Sequence, residues 1–504
     1  MRGRRLSAEG TRRRASIAVA VAALATLAAI PALASASPTA PLGHAGRWIT
    51  DADGRVVTLH GVNMVSKRAP YAPDAAGFGA DDAAFLSDHG FNTVRLGAIY
   101  AGVEPAPGVY DDAYLARLQA TEQELAAEGI FTMIDFHQDL YNERFQGEGW
   151  PDWAVQDDGI PAVPQLGFPF NYFGMLALNR AFDHFWNNDS GPGGVGLQDR
   201  YASAWRHVAG LFNGGDHVLG YDLLNEPWPG LAWPTCIVPI GCLFDRTKLT
   251  AFSKRVIAAI RQADTTSLVW YEPLSIFNSG VRTLHGDTGD PRAGFSFHNY
   301  CLLEGLGLPL PGPLTELGCR PFENLVFGNA LRHAGRTGDT LLLSEFGATD
   351  NLATIKRLVE AADRNMVSWQ WWHYCGCDDP TTAGPGDKQA LVRDPSQPPT
   401  GSNVIEEKLD QLERPYPQAV AGTPIRFGYD SRSGVFTLTY SKARAGGGSF
   451  ATGTTEVYVP TGDFPGGYEV TVQGATVASA PNAEILELVG LASATQVTVT
   501  VRPS

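Results

Sequence analysis

The stretch VLGYDLLNEP, residues 218–227, is a short and mostly apolar run that stops on Asn225, Glu226 and Pro227. Its length suits a buried strand, and a proline ends it. Seven runs of the same texture flank it: VVTLHGVNM (56–64), TVRLGAIY (93–100), FTMIDFHQD (131–139), SLVWYEP (267–273), FSFHNYC (295–301), TLLLSEFG (340–347) and MVSWQWWHY (366–374). Between them lie helical patterns, among them Asp81–His89, Asp112–Glu128, Leu197–Phe212, Lys248–Gln262 and Asn351–Asn365, several opening on an Asp or Asn that can cap a helix. Eight strands alternating with helices predict an α/β fold, a (β/α)8 TIM barrel over residues 43–415. A doubly wound open sheet is the rival. It is disfavoured because no Gly-rich nucleotide loop is present and the polar residues gather where strands end. In a barrel those ends share one pocket.

Two glutamates end otherwise apolar strands, Glu226 in the fourth run and Glu345 in the seventh. Glutamate is seldom buried without a partner, so either alone could be a carboxylate satisfied by a nearby arginine or helix end. A pair on two strands of one barrel mouth points instead to glycoside cleavage with retention, which needs two carboxyl groups about 5 Å apart. One protonates the leaving oxygen and the other attacks the anomeric carbon. Asn225, next to Glu226, can hold the sugar 2-hydroxyl as the transition state forms.

The rest of the chain bounds this reading. After Pro415 and Pro417 the texture changes to short alternating strands, GVFTLTYS, TEVYVP, YEVTVQG and ATQVTVTV, which predict a small β-sandwich over residues 416–504. At the other end, Arg12, Arg13 and Arg14 precede an apolar run from Ala15 to Leu33 and then small residues, which reads as a cleavable export signal over residues 1–36. A transmembrane anchor is the weaker reading of an Ala-rich run with these flanks, so we expect a secreted protein with no transmembrane segment. The chain carries a net charge of −15, and the leader holds six arginines against one glutamate, so the processed protein is near −20. That excess of acid argues against nucleic-acid binding and against electrostatic attraction to anionic membranes. Six cysteines in an exported chain suggest disulfides, and they fall in local couples, Cys236 with Cys242, Cys301 with Cys319 and Cys375 with Cys377. Fifteen pairings remain formally open. No phosphate loop or metal-ligand spacing is present, so no cofactor and no metal are expected.

Together these residues resemble glycoside hydrolase family 5, whose barrels carry NEP at the end of strand four and a Glu near the end of strand seven. Further matches are Arg95 in NTVRLG, His137 in DFHQD, His298 and Tyr300 in FHNY, and Trp372 in the eighth run. The resemblance implies Glu226 as general acid/base and Glu345 as nucleophile. Arg95 would lower the Glu345 pKa as an adjacent cation, and Tyr300 would hydrogen-bond the same carboxylate. Glu226 would need surroundings that keep it protonated until it donates. His137, His298 and Asp135, which shares a strand face with His137, would support or line a sugar subsite. Trp372 would form a sugar platform, with strand parity grouping Gln370, Trp372 and Tyr374 on the pocket face. Lys67 in the first loop is a candidate sugar ligand, or equally a solvated surface group.

Within the family, GVNMVSKRAPY, DFHQDLYNERF, GEGWPDWA and the CDD element resemble the endoglycoceramidases, which release the intact glycan from ceramide. Two apolar stretches agree with a lipid aglycone: PWPGLAWPTCIVPIGCLF (227–244), directly after the acid/base, and LLEGLGLPLPGPL (302–314). The ceramide is expected on 229–244 and 302–314, although burial of these loops against each other would make them purely structural. Glycosphingolipid hydrolysis is therefore the reading set against two others. One is an endo-β-1,4-glucanase, which would present an open aromatic cleft to polysaccharide. The other is a catalytically silent glycolipid-binding barrel, which would not need both carboxylates.

Overall fold

The computed structural model describes residues 38–301 and 312–504, and the backbone alone for 312–316. Eight parallel strands close into a barrel: β1 (His60–Met64), β2 (Thr93–Ile99), β3 (Phe131–His137), β4 (Val218–Asp222), β5 (Leu268–Tyr271), β6 (Ala293–Asn299), β7 (Thr340–Phe346) and β8 (Ser368–Trp371). They pair in sequence order, and β8 closes on β1 with Trp369 opposite His60. Every residue of these strands is buried. Helices on one side and packed side chains on the other leave neither sheet face to solvent, which is why the runs read as apolar rather than alternating. Close strand approach needs glycine at position 61, where a Cβ would lie 1.7 Å from the Thr93 carbonyl oxygen.

The barrel helices form where the apolar spacing predicts them. Helix Asp112–Ala127 is capped by Asp111, which accepts from the amides of Ala113 and Tyr114, and Leu352–Asn365 by Asn351 in the same way. Leu197–Phe212 buries Tyr201, Trp205 and Val208 along one face. The long segment between β3 and that helix folds over the barrel mouth, with short helices at Phe170–Gly174 and Leu176–Asn187.

From Tyr416 the chain forms strands in two sheets. Four strands make one sheet, Thr423–Asp430, Val435–Ser441, Gln496–Pro503 and Tyr468–Gln473. The other has seven, and three of them come from the N-terminal side: Gly43–Ala45, Trp48–Thr50 and Val56–Val57 add to Tyr416–Val420. The sandwich is thus built from both ends of the described chain. Phe436, Leu438, Val497 and Val499 form its core.

Contact with the barrel runs through strand starts. The His60 ring stacks between Trp369 and Tyr416 with centroids 4.3 and 3.8 Å away, and Tyr416 donates to the Gly90 carbonyl at 2.7 Å. These positions lie at the N-terminal ends of strands, opposite the mouth, so the sandwich buttresses the barrel and stays away from the pocket. Among the described residues no helix is long and apolar enough to cross a membrane. The leader, residues 1–36, lies outside the described residues.

Candidate active site

At the C-terminal ends of the strands lies a cavity of about 210 Å³, and Glu226 and Glu345 both face it. Oxygens of the two carboxylates and a nitrogen of His298 lie within 4.8 Å of one another. That separation suits attack by one carboxylate on the carbon whose leaving oxygen the other protonates, and leaves no room for a water between carboxylate and sugar as inversion requires.

Glu226 follows β4 with φ of 41°, a left-handed conformation rare outside glycine, which turns its side chain into the mouth. Asn278 donates to its Oε1 at 2.6 Å, and His298 Nδ1 lies 2.9 Å from the same atom. Glu345 near the end of β7 takes Arg95 Nη1 at 2.5 Å on Oε1 and the Tyr300 hydroxyl at 2.8 Å on Oε2. His298 Nδ1 also stands 3.3 Å from Glu345 Oε2, so one ring touches both carboxylates.

Arg95 is fully buried and holds four carboxylates, those of Asp135, Asp222, Glu272 and Glu345. This alters the expectation for the nucleophile. Burial pushes the Glu345 carboxyl up, and the pull of His298 and Arg95 reverses only part of that, because Arg95 divides its charge among four acids. Burial likewise holds Asp135 well above the usual carboxylate range despite Arg95, and pushes Glu272 up against the opposing pull of His298 and Arg95. His298 moves the opposite way to a simple buried histidine. Burial would lower it, but Glu272 and Glu345 hold it well above its ordinary value, so it is an imidazolium at neutral pH.

A second charged cluster closes the pocket on the first-loop side. Lys67 Nζ lies 2.7 Å from Asp139, 3.2 Å from Asp379 and 3.7 Å from Glu148, and 4.6 Å above the Trp372 ring. The side chain is 2% exposed, which corrects the reading of Lys67 as a solvated surface group. Burial alone would discharge it, but the three acids raise its pKa instead.

Of the ten residues read from the sequence, Lys67, Asn225, Glu226, Tyr300, Glu345 and Trp372 line the cavity. Arg95, Asp135, His137 and His298 stand behind that wall. Asp135 is therefore not placed to touch a ligand; it pairs with Arg95 and fixes His137 through a 2.7 Å contact to Nδ1. Burial, then Lys67 and Arg95, keep His137 neutral, so its Nδ1 carries the proton given to Asp135. Of the parity grouping only Trp372 lines the pocket; Gln370 is buried and donates to the Thr93 hydroxyl, and Tyr374 leaves the face altogether. That ring packs in the core with its hydroxyl on Asp82, because β8 ends at Trp371 and alternation ends with it. Asn225 accepts from Arg95 at 3.0 Å and gives one amide hydrogen to the Gln138 carbonyl, leaving the second for a ligand.

Glu272, Asn278, Asp139, Glu148 and Asp379 were not singled out from the sequence. A signal existed for Glu272, since WYEP repeats at the end of the fifth run the Glu-Pro step of NEP. The three cysteine couples form disulfides, each in a segment that follows a barrel strand on the pocket side.

Residues 50–378 match the family described as Cellulase (glycosyl hydrolase family 5), and residues 414–501 its C-terminal domain. The chain belongs to glycosyl hydrolase family 5. Within that family it is 34% identical over 462 residues to endoglycoceramidase I of Rhodococcus hoagii, covering 90% of this chain and 87% of that protein. Among solved structures of the family it resembles endo-glycoceramidase II from Rhodococcus sp. in complex with ganglioside GM3, with a TM-score of 0.72, 29% identity, and coverage of 91% of this chain and 99% of the other. The lactosyl-enzyme intermediate of the same protein gives a TM-score of 0.71 and 31% identity, over 90% of this chain and 99% of that one. A lactosyl-enzyme intermediate in that protein is the species a retaining mechanism requires.

Proposed function

We propose that this chain is a secreted retaining endo-β-glycosidase that hydrolyses the linkage between glycan and ceramide in glycosphingolipids. One observation carries the reading: the cavity changes character at Glu226. Its lining falls into a polar group, Lys67 bonded to Asp139 and Thr381 beside Trp372, and an apolar group, Phe168, Phe173, Trp228 and Ile276. The apolar group is tied to the acid/base, because Trp228 follows Glu226 by two residues and packs on Phe173, and Ile276 precedes the Asn278 that bonds Glu226. The leaving group departs on the acid/base side, so a polar sugar meets an apolar aglycone at the right place. The names of the relatives, and the glycolipid held by one of them, support the same assignment.

In this mechanism Glu345 attacks the anomeric carbon while Glu226 gives its proton to the departing ceramide oxygen. Glu226 then takes a proton from water, which releases the glycan from Glu345. The free amide hydrogen of Asn225 serves the 2-hydroxyl. Lys67 and the Trp372 face serve the sugar. Arg95, Asp135, His298 and Tyr300 hold these groups in place. No cofactor takes part.

Ceramide would lie on residues 229–244, where Leu231, Ile237, Ile240 and Leu243 are between 45% and 71% exposed. Exposed apolar side chains of this density suit a lipid partner. The other loop assigned to ceramide is 302–314; residues 302–311 lie outside the described residues. Residues 1–36 are assigned as the export signal.

The test is incubation with a detergent-dispersed glycosphingolipid and, separately, with carboxymethylcellulose, followed by mass analysis. Intact oligosaccharide plus free ceramide is the expected result. Cleavage of the cellulose alone would sink the glycolipid reading and make the apolar loops structural.

A further inference from the structure

Glu272 occupies a position that neither Glu226 nor Glu345 needs for its own chemistry. It follows β5, its side chain is 2% exposed, and it makes three contacts within the catalytic cluster. Its Oε2 accepts the backbone amide of Glu226 at 2.9 Å. Its Oε1 takes Arg95 Nη2 at 2.9 Å and lies 3.2 Å from His298 Nε2. The last contact is ionic rather than an aligned hydrogen bond, since Nε2 has no hydrogen-bond partner. The opposite nitrogen of that ring is the one that touches both catalytic carboxylates.

Two consequences follow from this placement. A left-handed non-glycine residue is strained and keeps its conformation only when its surroundings hold it. For Glu226 the holding contacts are Glu272 on the amide side and Gln138 Nε2 on the carbonyl side at 3.1 Å. In addition, an imidazolium can sit between Glu226 and Glu345 only if negative charge balances it. Around His298 the ionisable groups are Glu272 following β5, Glu226 following β4, Glu345 from β7 and Tyr300 following β6, with Arg95 and His137 beyond. Only Glu272 among the three acids is free of a covalent or proton-transfer role. It meets His298 as an ion pair and takes no part in bond making or proton transfer in a cycle in which Glu345 is glycosylated and Glu226 loses and regains a proton.

We infer that Glu272 is a positioning residue for the reaction, fixing the backbone of the acid/base with one oxygen and, with the other, supplying the charge that keeps His298 between the two catalytic glutamates. The inference rests on the two-glutamate mechanism and is independent of which aglycone is cleaved.

The test compares wild type, E272Q and E272A on a 2,4-dinitrophenyl glycoside and on an alkyl glycoside of the same sugar, with active sites counted by a covalent inactivator. The isosteric E272Q keeps an acceptor for the Glu226 amide but removes the charge. Its turnover per active site should fall about tenfold, and the alkaline limb of its pH profile should move down by about one unit, because loss of a neighbouring anion lowers the His298 pKa. E272A also loses the backbone contact, and should fall further on the alkyl glycoside than on the dinitrophenyl one, with KM little changed. Unchanged turnover per active site and an unmoved pH profile in E272Q, with only a lower Tm, would overturn the inference. E272Q is decisive by itself, even if E272A does not fold. Wild type inactive on both glycosides would instead count against the two-glutamate mechanism, a separate failure.

Discussion

The two walls of the pocket are built by opposite rules. On the side proposed for the glycan, strands and loops supply charge that is buried and mutually compensated: Arg95 among four carboxylates, Lys67 among three. On the side proposed for the aglycone, loops supply no charge at all. Residues 159–179 and 227–244 contain no Lys, Arg, Asp or Glu, and Leu166, Phe173, Leu231, Ile237, Ile240 and Leu243 among them stand open to solvent, while Trp228 is buried. A buried charge cluster is rigid because each member is strongly destabilised if a partner moves, which suits hydroxyls at fixed positions. An uncharged apolar rim tolerates sliding, which suits acyl chains of variable length. The catalytic glutamates sit on the seam, and the walls should therefore respond differently to substitution.

The largest effect belongs to the seam itself. E345Q removes the attacking carboxylate and should lower kcat on every substrate by on the order of 10⁵-fold, read with both glycolipid and aryl glycoside. Residual activity that varied with the aglycone would contradict the nucleophile assignment. E226A should divide substrates by leaving group. An alkyl or ceramide glycoside should lose about 10²–10⁴-fold, whereas the first step on a 2,4-dinitrophenyl glycoside should be nearly spared. Equal loss on both would remove Glu226 from the acid role.

How legible each wall was in the sequence differs for a physical reason. The barrel and its two glutamates were readable because short apolar runs ending in Asn-Glu-Pro or Ser-Glu-Phe are local patterns, and strand alternation carries no long-range ambiguity. The uncharged rim was readable too, as composition. What local pattern could not show was burial of charge. Lys67 reads as an ordinary loop lysine, and only the approach of Asp139, Glu148 and Asp379 from two other loops turns it into the centre of a cluster. The pairing of strands Gly43–Ala45, Trp48–Thr50 and Val56–Val57 with the C-terminal sheet was hidden likewise, since contact between chain ends has no sequence period. Glu272 is the intermediate case, visible as a second Glu-Pro step but without meaning until β4 and β5 are side by side.

The charged wall can be tested through Lys67. K67M keeps the length of the side chain and removes its charge, leaving Asp139, Glu148 and Asp379 uncompensated. Breaking a buried ion cluster from one side costs about 3–5 kcal/mol, so denaturant unfolding should show a drop of that size. Acidification should return part of the loss in K67M, because burial already raises the Glu148 and Asp139 carboxyls and protonation relieves their mutual repulsion. Wild type carries the same raised carboxyls and should gain from the acid shift as well, but less than K67M, because Lys67 opposes their rise. A K67M protein as stable as wild type at neutral pH would show that the cluster carries no net charge to be balanced.

The apolar wall should give the smallest and most selective effect. Ile240 and Leu243 are 71% and 66% exposed, so I240D and L243D disturb no packed core, and the fold should keep its Tm. If an acyl chain covers these side chains during catalysis, each substitution forfeits burial worth about 1.5–3 kcal/mol and adds the cost of desolvating a carboxylate. Partial cover lowers that to roughly 1.4 kcal/mol, or tenfold in kcat/KM for the glycolipid. The same variants should turn over a short aryl glycoside at the wild-type rate, because nothing on the charged wall has changed. Equal kinetics on both substrates would mean that this rim meets no lipid. Equal loss on both would mean that the two walls are mechanically coupled, and that the separation at Glu226 is one of chemistry alone.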